Sequence, residues 1–221
     1  ALAKGGYAEV VFSGINLSSY GRDTGTDLAE IVEKAAQVPG IRRIRLGSLE
    51  PDLMTEEMIA RMARVPALCP QFHLSLQSGC DATLRRMRRI YDTAGYRAVV
   101  EKLRAAFPGA SFTTDIIVGF PGETEADFQE TLSLFEEVSY DAAYTFIYSK
   151  RSGTPAAAME DQVPEAVKKD RLNRLMELQN RHSLKHNQKL VGRTLPVMVE
   201  GLSHNNKKMW SGRTDGNKLV L

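Results

Sequence analysis

Polar residues able to do chemistry recur just after short apolar runs in the first two-thirds of this sequence. Glu50 follows RIRLGSL, Gln77 follows FHLSL, and Asp115 lies within SFTTDIIV, shortly before Gly119-Phe120-Pro121-Gly122. Carboxylates at such places are natural acceptors for ribose hydroxyls or an ammonium group. Gln77 can both donate and accept, which suits a hydroxylated ligand. Gly119, Pro121 and Gly122 allow a backbone to approach a ligand closely. In Arg85-Arg86-Met87-Arg88-Arg89, one inward-facing arginine can hold a carboxylate through its two-pronged guanidinium. Each residue also has a plainer reading: a capping carboxylate for the next helix, a turn bond for Gln77, a simple turn for the glycines, a solvated helix face for the arginines. Their joint placement after successive apolar runs favours a polar small-molecule site.

Other chemistries find less support. No Ser-His-Asp or Cys-His arrangement has spacing fit for nucleophilic catalysis. His182 and His186 stand four apart, a metal-ligand spacing, but with no third ligand apparent they read as surface histidines and no metal site is expected. Cys69 and Cys80 are too few and too far apart for a zinc knuckle or a self-contained iron–sulfur motif. Two thiols suit a reducing cytosol.

The elements that must position these residues alternate. Strands are expected at residues 7–13, 41–47, 72–76, 111–118 and 142–148; helices at 27–38, 55–64, 82–89, 93–107 and 124–138. Asp27 and Thr124 read as N-caps, and Pro39-Gly40 and Pro108-Gly109 as helix stops. Strands alternating with helices imply parallel β/α units, curled into a barrel or left as an open sheet. In such folds ligands sit at the carboxyl ends of the strands, where the polar residues fall. A longer helix is expected over 164–190. After Val191-Gly192 the texture changes to two antiparallel strand candidates, 193–200 and 207–213. The expected division is residues 1–189 and 190–221; some thirty residues cannot bury a core alone, so the second piece leans on the first or is cut short.

Charge divides along the same line. Of 221 residues, Lys168 onward holds 12 Lys and Arg against 4 Asp and Glu, +8, whereas the whole chain carries +2, which leaves −6 for the rest. A basic tail on an acidic body points to a polyanion, with a lysine-rich solvated helix as the competing reading. No apolar stretch approaches the ~20 residues needed to span a bilayer, so no membrane partner is expected. The chain opens ALAKGGY, without Met and as if inside the last turn of a helix, and a longer parent is expected.

The segments GINLSSYG, RIRLGSLEP, FHLSLQSGCDATLRRM, TTDIIVGFPGETEADF, YTFIYSKRSGTPAA and LVGRTLPVMVEG together resemble the methylthiotransferase family of radical S-adenosylmethionine enzymes. The resemblance covers almost the whole chain. It implies an α/β fold: a partial TIM-like (β/α)6 radical barrel, then the start of a small antiparallel, TRAM-like, RNA-binding β-domain. The implied reaction places a methylthio group on carbon 2 of a hypermodified adenosine beside the tRNA anticodon. The first half resembles enzymes acting on N6-threonylcarbamoyl-adenosine and the second half those acting on N6-isopentenyl-adenosine.

The resemblance assigns cofactor contacts to Asn16, Glu50, Gln77, Arg89, Asp115 and Gly119. Arg89 would take the carboxylate of S-adenosyl-L-methionine, Gln77 and Asp115 its ribose, Glu50 its amino group, Asn16 the cluster-side cavity, and the Gly119 to Gly122 backbone its adenine. RNA contacts fall to Arg193, Lys207, Lys208, Arg213 and Lys218. Trp210 is either a stacking platform or a core residue of the small domain. The family also needs two four-iron–four-sulfur (4Fe-4S) clusters, one held by CxxxCxxC. Neither cysteine set is in this chain, so it is expected to be an inactive piece of a cytoplasmic enzyme, aggregating or only marginally stable, whose sulfur donor the residues do not reveal. Competing readings are a ribosomal-protein aspartate methylthiotransferase, a cluster-free tRNA-binding homologue, and a generic barrel aldolase whose one candidate Schiff-base residue, Lys150, lies in a loop.

Overall fold

A computed structural model describes all 221 residues. Its centre is a parallel sheet in the order β1 (Glu9–Phe12), β2 (Arg43–Leu46) with its two-residue continuation β3 (Ser48–Leu49), β4 (Gln71–Leu74), β5 (Ser111–Val118) and β6 (Ala142–Ile147). An isolated parallel bridge between Ile44 and Leu68 ties the β1–β2 pair to the β3–β6 group. The crossovers carry α1 (Leu28–Ala36), α2 (Glu56–Met62), α3 (Asp81–Arg86), α4 (Thr93–Ala106) and α5 (Glu125–Val138). Beyond β6 come the short α6 (Pro155–Ala158) and the long α7 (Glu165–Gln188).

Local sequence sets the helix starts. The Asp27 side chain accepts from the Glu30 amide, and Thr124 forms a reciprocal capping box with Asp127. Strand alternation then sorts the faces. Phe112, Thr114, Ile116 and Val118 of β5 are buried toward the helices, with Phe72 and Leu74 of β4 in the same core. The other face presents Gln71, His73, Thr113, Asp115 and Tyr144, which line a cavity together with Glu200, Arg213 and Asn217. Because a ladder's side chains alternate, this open face is where polar groups can stand free of the core.

α7 closes the helical layer against β6, β5 and α5. Here the expectation of surface histidines is corrected. His182 is buried, its ring stacked 5.7 Å from that of Phe135 and its Nε2 3.2 Å from Glu136. Nε2 of His186 lies 2.8 Å from the Ser139 carbonyl.

The remaining residues form an antiparallel sheet of β7 (Val197–Leu202), β8 (Trp210–Thr214) and β9 (Leu219–Val220). From 190 onward only Ser203, Gly212 and Thr214 are buried, so this sheet has almost no core of its own. It leans on the parallel sheet through two arginines of β2. Arg43 donates to the carbonyl of Arg213 at 2.7 Å, and Arg45 to those of Thr214 at 2.7 Å and Asp215 at 2.9 Å. Arg43 also pairs with the Asp215 carboxylate at 2.6 Å, and Lys218 with Asp141 at 3.3 Å. Arg43 opens β2 and Asp141 immediately precedes β6, so the β8–β9 turn seats at the amino-terminal end of the parallel strands. No helix is long and apolar enough to cross a membrane.

Candidate functional site

At the opposite, carboxyl-terminal end of β4, β5 and β6 lies a cleft of 760 Å³. Gln77, Arg89 and Asp115 all line it. Each arrives by a different local device.

Gln77 follows β4 in the left-handed region, φ 68°, a costly conformation for a residue with a side chain. Two backbone bonds hold it there: its amide donates to the Asp115 carbonyl at 2.8 Å, and the Ile117 amide donates to its carbonyl at 2.9 Å. The chain thus leaves the strand while still paired with β5.

Asp115 stands on the open face of β5. His73 Nε2 lies 3.1 Å from its Oδ2, while His73 Nδ1 lies 3.0 Å from the Thr113 hydroxyl. The carboxylate is therefore oriented from one side, and its other oxygen has no protein partner. This is a strand position, which disposes of a capping role.

Arg89 is placed by the end of α3. The Arg89 amide donates to the Leu84 carbonyl and the Arg88 amide to that of Arg85, a Schellman turn with Arg88 left-handed at φ 58°. That turn swings Arg89 into the cleft, where its Nη1 lies 3.7 Å from Oε1 of Glu50. Its Nε is buried with no acceptor. A buried guanidinium nitrogen without a partner is costly, and an acceptor on a ligand would satisfy it.

Glu50 precedes a short 3-10 turn, which its side chain does not cap. Its amide donates to the Ser18 hydroxyl at 2.8 Å, leaving the carboxylate toward Arg89. Burial pushes the Glu50 carboxyl above its ordinary range, and Arg89 offsets only part of this. Gln77, Arg89 and Asp115 thus line one cleft, and Glu50 stands beside it, facing Arg89.

Asn16 and Gly119 stand elsewhere. Asn16 is exposed, two residues before Ser18, outside the cleft wall. Gly119 has φ 73°, but its amide donates to Glu123 Oε1 at 2.8 Å, and a Cβ there would overlap Lys168. Its close approach in the structure is to Lys168 of α7. Of the expected RNA contacts, Arg193, Lys207 and Lys208 are exposed. Arg213 is instead paired with Glu200 at 3.3 Å and Lys218 with Asp141, so neither offers a free charge. Trp210 is 64% exposed, not a core residue.

The strand pattern gave no notice of several cleft residues. Phe120 and Tyr148 pack edge to face at 5.2 Å, and Phe146, Arg151 and Met159 complete the wall beside them. The signal lay in YTFIY, whose apolar residues occupy both faces of β6.

The cysteines do not suit an iron–sulfur cluster. Cys69 is buried, and burial raises its thiol pKa. Cys80 is buried too, with Sγ 3.3 Å from Asp127, and burial pushes its thiol up to about 11, away from the thiolate a cluster requires. No group of three or more His, Cys, Asp or Glu is placed to hold a metal ion.

Comparison with known proteins agrees with this geometry. A family model described as the radical SAM superfamily matches residues 1–135. The chain is 46% identical over 221 residues to a tRNA-2-methylthio-N(6)-dimethylallyladenosine synthase of Acetivibrio thermocellus, covering 99% of this chain and 46% of that protein. A synthase of the same name from Clostridium tetani is also 46% identical, with 99% and 49% covered. The chain thus spans about half the length of the curated relatives it matches. Among solved structures, coproporphyrinogen III oxidase of Escherichia coli, a radical SAM enzyme, superposes with TM-score 0.62 at 16% identity over 79% of this chain and 40% of that one. Methylornithine synthase gives 0.53 at 16% identity over 80% and 50%. A parallel sheet with a polar cleft at its carboxyl-terminal end, matched over more than half its length by that family model, places this chain in the radical SAM superfamily.

Proposed function

We propose that this chain is the S-adenosylmethionine-binding and RNA-facing part of a tRNA methylthiotransferase, acting on carbon 2 of N6-dimethylallyl-adenosine, also called isopentenyl-adenosine, beside the anticodon. The observation that carries the reading is the convergence of Gln77, Arg89 and Asp115 on one cleft at the strand ends, with Glu50 facing Arg89 at 3.7 Å. Bound there, S-adenosylmethionine supplies hydrogen abstraction by radical chemistry and a methyl group, in a whole protein that holds two 4Fe-4S clusters on cysteines outside this chain. Arg89 and its unpartnered Nε take the cofactor's carboxylate, Glu50 its ammonium, Gln77 and the His73-braced Asp115 its ribose hydroxyls. Phe120 and Tyr148, packed edge to face, keep water from the apolar part of the cleft.

In this reading residues 1–189 are the radical unit and 190–221 the start of an RNA-binding unit. There Arg193, Lys207 and Lys208 meet phosphates and Trp210 stacks on a base. The dimethylallyl substrate is favoured over the threonylcarbamoyl one by the names of the relatives at 46% identity. The partner is tRNA and the compartment the cytoplasm.

Mass spectrometry of tRNA nucleosides from cells with and without the gene tests this. The expected result is loss of 2-methylthio-N6-dimethylallyl-adenosine, with its unmethylthiolated precursor accumulating. Unchanged tRNA nucleosides together with loss of a methylthio-aspartate in a ribosomal protein would overturn it.

A further inference from the structure

The cofactor-facing residues occupy the β4–β5 side of the cleft. The β6 side carries a second set that they leave unused: Phe146 on the strand, Arg151 just beyond it, and Arg88 arching in from the turn after α3. Three observations set these residues apart.

Phe146 is 52% exposed although it stands in the wall of a cavity. A large aromatic face held open beside charged groups is a stacking surface with nothing stacked on it.

The guanidiniums of Arg88 and Arg151 make no ion pair or hydrogen bond within the protein and are exposed. Their neighbours in the same cleft, Arg86 and Arg89, face Asp127 at 2.9 Å and Glu50 at 3.7 Å. Two unpaired arginines beside one aromatic face match the two parts of a nucleotide, phosphate and base.

Arg88 also occupies the left-handed position of its Schellman turn, where glycine is the usual residue. Gly109 and Gly153, at turns elsewhere in the fold, take φ near +80° at no such cost. An arginine at that place disfavours the turn, so its presence calls for a role outside the fold.

We propose that Phe146, Arg88 and Arg151 form the receiving subsite for one unstacked nucleotide of the RNA substrate, Phe146 stacking on the base and the two arginines holding the phosphates that flank it. The proposal rests on the RNA-modifying reading above and deepens it. A base inside a helical stack is out of reach of a closed cleft, so the substrate nucleotide must leave the stack, and the subsite supplies replacement contacts for what it loses. An acidic peptide would satisfy the arginines but would leave the aromatic face idle.

The test measures binding of a fluorescent anticodon stem-loop RNA to the protein across a salt series, with S-adenosylmethionine affinity and thermal melting recorded in parallel. Arg88→Gly keeps the left-handed turn and removes the arginine side chain; Arg151→Gln and Phe146→Leu complete the set. The expected result for either arginine variant is an affinity loss of about fivefold or more, with the log–log salt slope shallower by about 0.7 for each phosphate contact removed. Phe146→Leu is expected to lose about fivefold or more at an unchanged slope, since stacking is not a counterion effect. Melting of Arg88→Gly should hold or rise, and S-adenosylmethionine affinity should not move in any variant. If the parent protein binds the stem-loop and all three variants match it in affinity and slope, the subsite is overturned and the RNA reading stands. If the parent binds no RNA, the RNA reading falls and takes the subsite with it. Arginine-dependent capture of an acidic peptide in place of the stem-loop overturns the choice of nucleotide.

Discussion

Glu50 pays for its place beside the cleft. Burial raises its carboxyl pKa more than Arg89, 3.7 Å away, lowers it, so folding favours the protonated acid. A carboxyl with a raised folded-state pKa contributes stability at low pH, and that contribution is lost as pH rises through the raised value. Ionised Glu50 is therefore a cost to the fold at neutral pH, borne for an ammonium group it is placed to meet. Glu50→Gln should melt no lower than the parent at pH 7, with its relative advantage shrinking as pH falls through the raised value toward the ordinary carboxyl value of about 4.3. The same variant should bind S-adenosylmethionine roughly tenfold more weakly, because a hydrogen bond to a charged group is worth about 1.5–3 kcal/mol. Differential scanning calorimetry from pH 3.5 to 8, with titration calorimetry at pH 7, reads both. Weaker folding together with unaltered cofactor affinity would make Glu50 a structural partner of Arg89.

At the scale of elements, the turn from β5 into α5 braces the end of the sheet against α7 while Phe120 lines the cleft. Gly119 donates to Glu123, and Glu123 accepts Arg171 of α7 at 2.8 Å in a buried ion pair. Thr124 then opens α5. A Cβ at 119 would meet Lys168 and would also force a side chain into a left-handed backbone. Gly119→Ala should therefore cost roughly 2–4 kcal/mol, the sum of backbone strain and overpacking, in urea denaturation. S-adenosylmethionine affinity of the folded fraction should not change; a loss of affinity at parental stability would return Gly119 to the ligand site. Elements of this kind were open to a reading of the sequence: the five strands, the Asp27 and Thr124 caps and the strand-end polar residues all follow from local period and turn chemistry. What escaped that reading depends on partners far along the chain. IRRIRLG alternates as though Arg43 and Arg45 faced water, yet both are buried because acceptors some 170 residues away receive them. His182 is buried because Phe135 stacks on it, and Arg213 and Lys218 are paired because acidic residues of other strands or turns reach them.

Across the whole molecule, the β8–β9 turn seats at the amino-terminal end of the parallel strands and the cleft opens at their carboxyl-terminal end, with Glu200 and Arg213 of the small sheet facing Asp115 and Tyr144 across a cavity. No residue of the small sheet lines the cleft, so an RNA that touches both Phe146 and Lys207 must bridge two separate contact regions, which suits a folded stem-loop better than a short oligonucleotide. The two contact regions keep a fixed separation only while Arg43 and Arg45 hold the small sheet down, because that sheet buries too little to order itself. Arg45 is the more buried half of this brace: its guanidinium is nearly inaccessible and joins Glu9 of β1 to the carbonyls of Thr214 and Asp215. Arg45→Met keeps the length of the stem but leaves those carbonyls unmet. Amide exchange across residues 197–220 should then rise about tenfold or more, the loss of one charge-assisted bond, while β4, β5 and α4 keep parental protection. Stem-loop affinity should fall although Arg45 touches no RNA, and affinity for a five-nucleotide fragment that fills only the cleft should stay the same. Equal losses for both probes would mean that the small sheet and the cleft do not act as two separate contacts on one RNA.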